Sequence, residues 1–429
     1  VSGAKATGTP QTGARRSGSY QGWLVGLLSL NFGILFFDRN ALNFLMPFVM
    51  GDLHLSNTQV GTIAGVFSFA WALAAFAISR ISDLIGNRKL LLVVATLGFS
   101  ACSFLTGIAS SFAFMVAARI VMGIAEGGVM PISHAIVADE VDPEHRGLAQ
   151  GIAQNFGSNF FGSFVAPVVL VAVAQHFGWR NAFYIAGVPG LLSAILLWFF
   201  IKEPLERAVH DAVAEGQGIG GWFVAVGQAL KVRNVLICVV MGILLVAYLV
   251  ICWAFMPLFL TKTRGFSGDE MGWLMGTLGL SATLGSFVIA GLSDRIGRRP
   301  VMVVMPLIAV ALPLGALFFH GSSYALAAIF FVGWGLNGIF PLFMATVPSE
   351  SVRPEQAATV FGLCMGSCEI VGGALGPQIA GALADSFGLG APLWMMAGLA
   401  LAAGLCGLGL TESAPRVLAR RAELRFAAA

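Results

Sequence analysis

Twelve stretches of about 20 predominantly apolar residues run through this chain of 429, and each is long enough to cross a hydrocarbon layer roughly 30 Å thick. They fall at about 23–48, 58–80, 90–109, 112–138, 147–175, 180–202, 233–261, 269–293, 300–319, 323–347, 357–385 and 390–412. Inside a bilayer every backbone polar group has to be satisfied by the protein itself, so stretches of this length fold as helices. Charged residues make up only 10% of the chain, against about 25% in a soluble domain. The expected fold class is therefore all-α integral membrane, with twelve transmembrane helices.

The 54 glycines and 17 prolines are spread through the spans, as membrane helices tolerate. All six cysteines (Cys102, Cys238, Cys252, Cys364, Cys368, Cys406) lie in spans, which reads as small buried hydrophobes and not as a disulfide framework or metal site. No metal and no cofactor are expected. The first twenty residues are small and polar and read as a disordered tail, followed by a first span too long for a signal-peptide core and expected to be retained. Counting lysine and arginine, one side of the membrane holds nineteen, from Lys5 to Arg425, and the other only Arg180, Lys262 and Arg264. The positive-inside rule then puts both tails in the cytoplasm, in the inner (plasma) membrane. The basic residues are scattered over short loops, so no nucleic-acid partner is expected; the partners are the lipid bilayer, protons and a small solute, with the chain as a monomer.

A repeat organises the spans. SRISDLIGNRK (79–89) follows the second span and AGLSDRIGRRP (290–300) follows the eighth, with Asp83 and Asp294 separated by 211 positions. Pro143 and Glu144 recur as Pro354 and Glu355 at the same offset, and Gly162 and Pro167 as Gly372 and Pro377 at an offset of 210. The chain is thus expected as a tail (1–20), a six-helix bundle (21–202), a cytoplasmic linker (203–232), a second six-helix bundle (233–412) and a second tail (413–429). Repeated halves of this kind build secondary transporters, with the binding site between them near mid-membrane.

On these loops and halves the chain resembles the major facilitator superfamily, whose signature G-x-x-x-D-R-x-G-R-R the two loops follow. The resemblance implies two pseudo-symmetric six-helix bundles and a cytoplasmic latch between them, formed here by Asp83, Arg88, Asp294, Arg295 and Arg298. Ser79, Leu84 and Asn87 depart from the signature in the first copy, so the second copy is expected to be the stronger latch.

Five ionisable groups lie deep in the spans: Asp38, Arg39, Arg119, Glu126 and Glu369. Each costs at least ~2.5–3.5 kcal/mol at a helix centre, so such residues usually face an interior path. Arg119 and Glu126 are seven apart and share one helix face. At a rise of 1.5 Å per residue they lie roughly 10 and 21 Å below the outer end of the fourth span, and Asp38 lies roughly 15 Å below the same surface. If the first and fourth helices are neighbours, as in the resembled fold, two acids and two bases share a pocket. The positions 211 beyond Arg119 and Glu126 are Phe330 and Asn337, so the second half lacks this set. A structural ion-pair network is the competing reading.

FFDRNALNFLMP (36–47) and ARIVMGIAEGGVMP (118–131) look like the anion:cation symporter branch of the superfamily, as do GWRNAFYIAGVPG (178–190) and FMPLFLTKTRGFS (255–267). That resemblance implies a substrate carboxylate held by Arg39 and Arg119, with protons carried by Asp38 and Glu126. Phe255 and Phe259 stand where the branch often has Trp and Tyr, implying a more apolar wall in the second half. With all four groups ionised the pocket sums to zero, so an added carboxylate draws a proton onto Glu126 or Asp38, Glu126 being the preferred coupling acid. A planar guanidinium suits a carboxylate better than lysine does.

Further candidates are Glu369, as a second proton site or an acid in a helix contact, and His134 as a relay or an interfacial histidine. Asn43, Tyr248 and Asn337 are substrate-binding candidates; they, Asn155 and Asn159 are polar groups that could line the pocket, though each taken alone reads first as a helix–helix hydrogen bonder. GWGLNG (333–338) has the spacing of a dinucleotide loop, but no strand precedes it and helix packing explains it. The expected function is proton-coupled symport of a small organic anion, a sugar acid or an aromatic or aliphatic carboxylate, by alternating access. The alternative is a Spinster-like exporter or antiporter of lysolipids or amphipathic compounds. Neither nucleophile elbow nor phosphate loop supports an enzyme.

Overall fold

The structure, a computed structural model, describes residues 17–85, 87–142, 144–203, 226–353 and 356–428. Residues 1–16, most of the expected linker (204–225), Pro143, Pro354 and Glu355 lie outside that set, as does the side chain of Asp83.

The twelve expected spans are twelve helices long and apolar enough to cross a membrane. In the first half these are α1 (Gly18–Asp52), α2 (Asn57–Ile85), α3 (Arg88–Gly107), α4 (Phe112–Glu140), α5 (Arg146–Phe177) and α6 (Trp179–Phe200). The second half comprises α7 (Arg233–Thr263), α8 (Gly268–Ile296), α9 (Arg298–Phe318), α10 (Ser323–Glu350), α11 (Thr359–Phe387) and α12 (Gly390–Gly407). Part of the expected second tail forms a further helix, α13 (Pro415–Ala428).

Packing repeats between the halves as the sequence does. α3 lies against α6 as α9 does against α12; α2 lies against α4 as α8 does against α10; α1 and α7 each pack on the fifth and sixth helices of their own half. The matched glycines show why. Gly162 of α5 sits against the backbone of Phe36 on α1, and Gly372 of α11 against that of Ile243 on α7, each in a space that a Cβ would fill. Small residues at such contacts let helix backbones approach closely, which is how helices associate where lipid removes the hydrophobic drive.

Both described termini and the loops after α2, α4, α8 and α10 lie at one end of the bundle, here the tail end; the opposite end is the distal end. The halves meet through α2 with α11 and α5 with α8. Gly61 and Gly65 of α2 face the carbonyls of Pro377 and Ala374 on α11, where any side chain would hold the halves apart.

Candidate functional site

A cavity of about 540 Å³ lies between the halves. That is the size of a small-molecule site. α1, α2, α4 and α5 form one wall, and α7, α8, α10 and α11 the other.

Arg39 and Arg119 both line it, so the expected neighbourhood of α1 and α4 is present. Arg119 Nη1 donates to the backbone oxygen of Arg39 at 3.3 Å and lies 3.1 Å from Met122 Sδ. The Arg39 guanidinium stands over three rings, 4.6 Å from the centroid of Phe67, 5.3 Å from Phe36 and 5.4 Å from Trp71. Phe67 also carries Arg119, at 5.7 Å. One ring on α2 thus positions both cations, by the attraction of a guanidinium for an aromatic face. Among the described residues neither arginine has a carboxylate oxygen within 4.0 Å, while the described ion pairs lie elsewhere.

The acids occupy a second layer. Asp38 and Glu126 are each 1% exposed and do not line the cavity, which corrects the expectation of four charges in one chamber. Successive helical residues point about 100° apart at 3.6 per turn, and on α1 Asp38 falls on the side away from the cavity that Arg39 lines. Asp38 turns to α3, where it accepts from the Ser103 hydroxyl. Its second oxygen and both oxygens of Glu126 are buried without a hydrogen-bond partner among the described residues. Both acids still act on Arg119 electrostatically, and Glu126 is also within the field of Arg39. Orphaned buried carboxylate oxygens are uncommon and call for an explanation.

Glu369 lines the opposite wall, so it is not an acid confined to a helix contact. Its electrostatic partner is Arg39, from the other half. Asn43 and Asn337 line the cavity as expected, as do Asn155, Asn159 and His134. Tyr248 does not. It is fully buried and donates to the Ala309 carbonyl at 2.9 Å, tying α7 to α9, so its place among the substrate-binding residues is corrected to one in helix packing. Phe255 and Phe259 are likewise buried away from the cavity, and Trp253 supplies the aromatic wall of α7 instead. Residues the sequence did not single out also line the site: Phe67, Ser68 and Trp71 on α2, and Gln150 and Gln154 on α5. Phe67 and Trp71 are four apart and so share one face of α2, but without a charge they look like ordinary span residues.

The family model described as Major Facilitator Superfamily matches residues 28–267 and 250–427. The chain belongs to this family. Among relatives, the hexuronate transporter of Bacillus subtilis is 28% identical over 85% of this chain and 88% of its own. An MFS-type efflux pump of Mycolicibacterium smegmatis is 28% identical over 87% of each. A protein named "Probable sulfoacetate transporter SauU", from Cupriavidus necator, is 27% identical over 64% of this chain and 65% of its own, just short of two thirds of its length. A bacterial homolog of the human lysosomal transporter Spinster, solved inward-facing and occupied, superposes with a TM-score of 0.72 at 20% identity, covering 91% of this chain and 95% of that one. The nucleoside transporter NupG gives 0.71 at 15% identity over 90% and 98%. At these identities the two structures attest the fold. The chain is a multi-pass membrane transporter of the superfamily, and each relative and neighbour named here is a transporter or an efflux pump, not an enzyme.

The superfamily signature loops hold each half together at the tail end. Arg88 pairs with Asp139 at the end of α4, and the backbone N–H groups of Arg88 and Lys89 donate to Glu203 at 2.9 and 3.0 Å. The second half repeats this: Arg298 pairs with Glu350 at the end of α10 at 3.0 Å and with Asp294 at 2.6 Å, and its N–H donates to Glu412 at 2.8 Å. These contacts run within a half, whereas the resemblance implied contacts between halves. Arg295 is exposed and in no ion pair among the described residues, and the Asp83 side chain lies outside them. The acids Asp139 and Glu350 are 211 apart, so applying the repeat to acids as well as to the motif exposes the pairing.

The link between halves is at the distal end. Asp385 of α11 accepts from the N–H groups of Asn57 and Thr58 at 2.9 and 2.8 Å, and from their side chains at 2.9 and 2.6 Å. A helix start leaves four N–H groups unpaired. On α2 the Ser56–Gln59 capping box satisfies two, and Asp385 supplies the acceptors for the two between them. Hydrogen bonds join the halves here and at mid-membrane, where Asn159 meets Ser286 at 3.4 Å. The cavity extends towards the tail end as far as Gln150 and Phe361.

Proposed function

We propose that the protein carries a small organic anion together with protons, alternating the cavity between the two faces of the membrane. The observation that carries this reading is the pair of guanidiniums, Arg39 and Arg119, set on one aromatic ring at the cavity wall without a carboxylate of their own among the described residues. A bidentate guanidinium is the side chain best fitted to hold a carboxylate. The hexuronate and sulfoacetate names of two relatives agree with such a substrate.

Asp38 and Glu126 are the coupling acids in this reading. A buried acid with unpaired oxygens is poorly served as an anion. Their fields reach Arg119, so an acid that takes up a proton releases the guanidinium to the substrate. Substrate and proton then share a cycle in which the charge of each added carboxylate is offset by a proton. With the positive-inside assignment, the tail end is cytoplasmic.

A thermal-shift screen of the purified protein against a hexuronate, sulfoacetate and benzoate tests the anion, because a ligand stabilises by mass action. Uptake into proteoliposomes under an imposed pH gradient tests the coupling. Glu126→Gln is expected to abolish gradient-driven accumulation and leave exchange; accumulation at the wild-type level removes Glu126 from the proposed role. The rival, export of amphipathic compounds, draws on the apolar share of the lining and on the efflux-pump relative. Stabilisation by a lysolipid with none by any acid would favour it.

A further inference from the structure

The cavity has a second pole. Glu369 projects from an irregular, π-helical stretch of α11, Cys368–Leu375, a local geometry that often accompanies functional sites. It is 9% exposed, lines the cavity, and makes no hydrogen bond to any described residue. The space around it is kept open by a glycine: a methyl group at Gly373 would lie 2.9 Å from Glu369 Oε2 and 3.0 Å from Ser68 Oγ of α2. Ser68 lines the cavity too, so a carboxylate and a hydroxyl from opposite halves flank one spot. On the other side of the same cavity stands Arg39, whose field reaches Glu369.

We infer that Glu369 is a substrate contact: the transported acid carries, away from its carboxylate, a hydrogen-bond donor, either a hydroxyl or an ammonium, that Glu369 accepts. This rests on the anion reading above and narrows it, from any small carboxylate to one that bridges both walls. The chemistry follows from the donor inventory. An ionised carboxyl only accepts, and arginine only donates, so walls carrying one of each select a ligand with the complementary pair. An unsubstituted aliphatic acid satisfies the guanidiniums and leaves Glu369 desolvated without a partner, which is the costly arrangement. Such a site discriminates strongly against analogues that lack the donor. The ligand also touches both halves at once, which couples its binding to their closure.

The test is isothermal calorimetry on the full chain in detergent, with four ligands at each of several chain lengths: the alkanoate, the ω-hydroxyalkanoate, the ω-aminoalkanoate and the ω-hydroxyalkanamide. At the fitting length the two donor-bearing acids are expected to bind at least about tenfold more tightly than the alkanoate, the difference made by a hydrogen bond to a charged group. Glu369→Leu is expected to erase that preference. Glu369→Gln keeps an acceptor and is expected to retain the preference for the hydroxyl and lose that for the ammonium. The comparison is made among ligands within each variant, so a general loss of stability does not imitate the result. Equal binding of alkanoate and donor-bearing acids at every length, or a preference that survives Glu369→Leu, overturns the contact while leaving the anion reading intact. Glu369-dependent binding of the amide with no binding of any acid upholds the contact and overturns the anion reading. Binding of none of the four overturns both.

Discussion

Removing the Asp385 carboxylate should open the distal end. In Asp385→Ala the halves lose four hydrogen bonds of 2.6–2.9 Å, two of them to the first N–H groups of α2. A hydrogen bond contributes about 0.5–1.5 kcal/mol net, and more when the acceptor is charged. Asp385 is exposed, so water replaces part of each bond and screens the charge. A total of about 1–3 kcal/mol remains, a shift of roughly 5- to 150-fold in the equilibrium between the distally closed and distally open states. Spin labels at Ser110, after α3, and His320, before α10, report the separation of the halves at that end by pulsed dipolar spectroscopy. The variant is expected to move a large share of the distance distribution to longer values, with Asp385→Asn, which keeps one acceptor oxygen, in between. A distribution unchanged from wild type would refute the reasoning: α2 would then be held by the glycine contacts of Gly61 and Gly65 alone, and Asp385 would be a local cap.

Other outcomes follow from the same contacts. Phe67→Ala should weaken anion binding roughly 2- to 30-fold, since one ring at 4.6 and 5.7 Å positions both guanidiniums; calorimetry on the acid found by the thermal-shift screen checks it. Tyr248→Phe should leave transport kinetics unchanged and cost about 0.5–1.5 kcal/mol of stability through the lost bond to Ala309, visible as a lower melting temperature with an unaltered KM. Gly65→Leu should trap the carrier away from the distally closed state, because the side chain would collide with the Ala374 carbonyl; labels at Ser110 and His320 would show the long distance whether or not ligand is added.

Much of the fold is legible in the sequence because span length and repeat register are each set by one strong physical demand. A helix has to match the bilayer, and two copies of one bundle have to close on each other, so Gly162 and Gly372 mark the same contact in each half. Charge inside the bilayer is as legible, because its cost singles out Arg39 and Arg119 among apolar neighbours. Direction is not. Asp38 and Arg39 are adjacent in sequence yet serve different layers, and only the packing of α1 on α3 assigns Asp38 to Ser103. Tyr248 misleads for a related reason: a hydroxyl in a span needs a partner, and a backbone carbonyl serves as well as a substrate. Cross-half relations such as Glu369 with Arg39, or Asp385 with the start of α2, join residues about 330 apart that no local pattern connects.

The central claim is that Arg39 and Arg119 grip the carboxylate of the transported acid. Equilibrium binding of the acid identified by the screen, measured for wild type, Arg39→Lys, Arg119→Lys and the double variant, tests it most directly. The account predicts weakening of at least about tenfold in each single variant, because lysine keeps the charge and loses the fork, and no measurable binding in the double variant. Undiminished affinity in the double variant would contradict it.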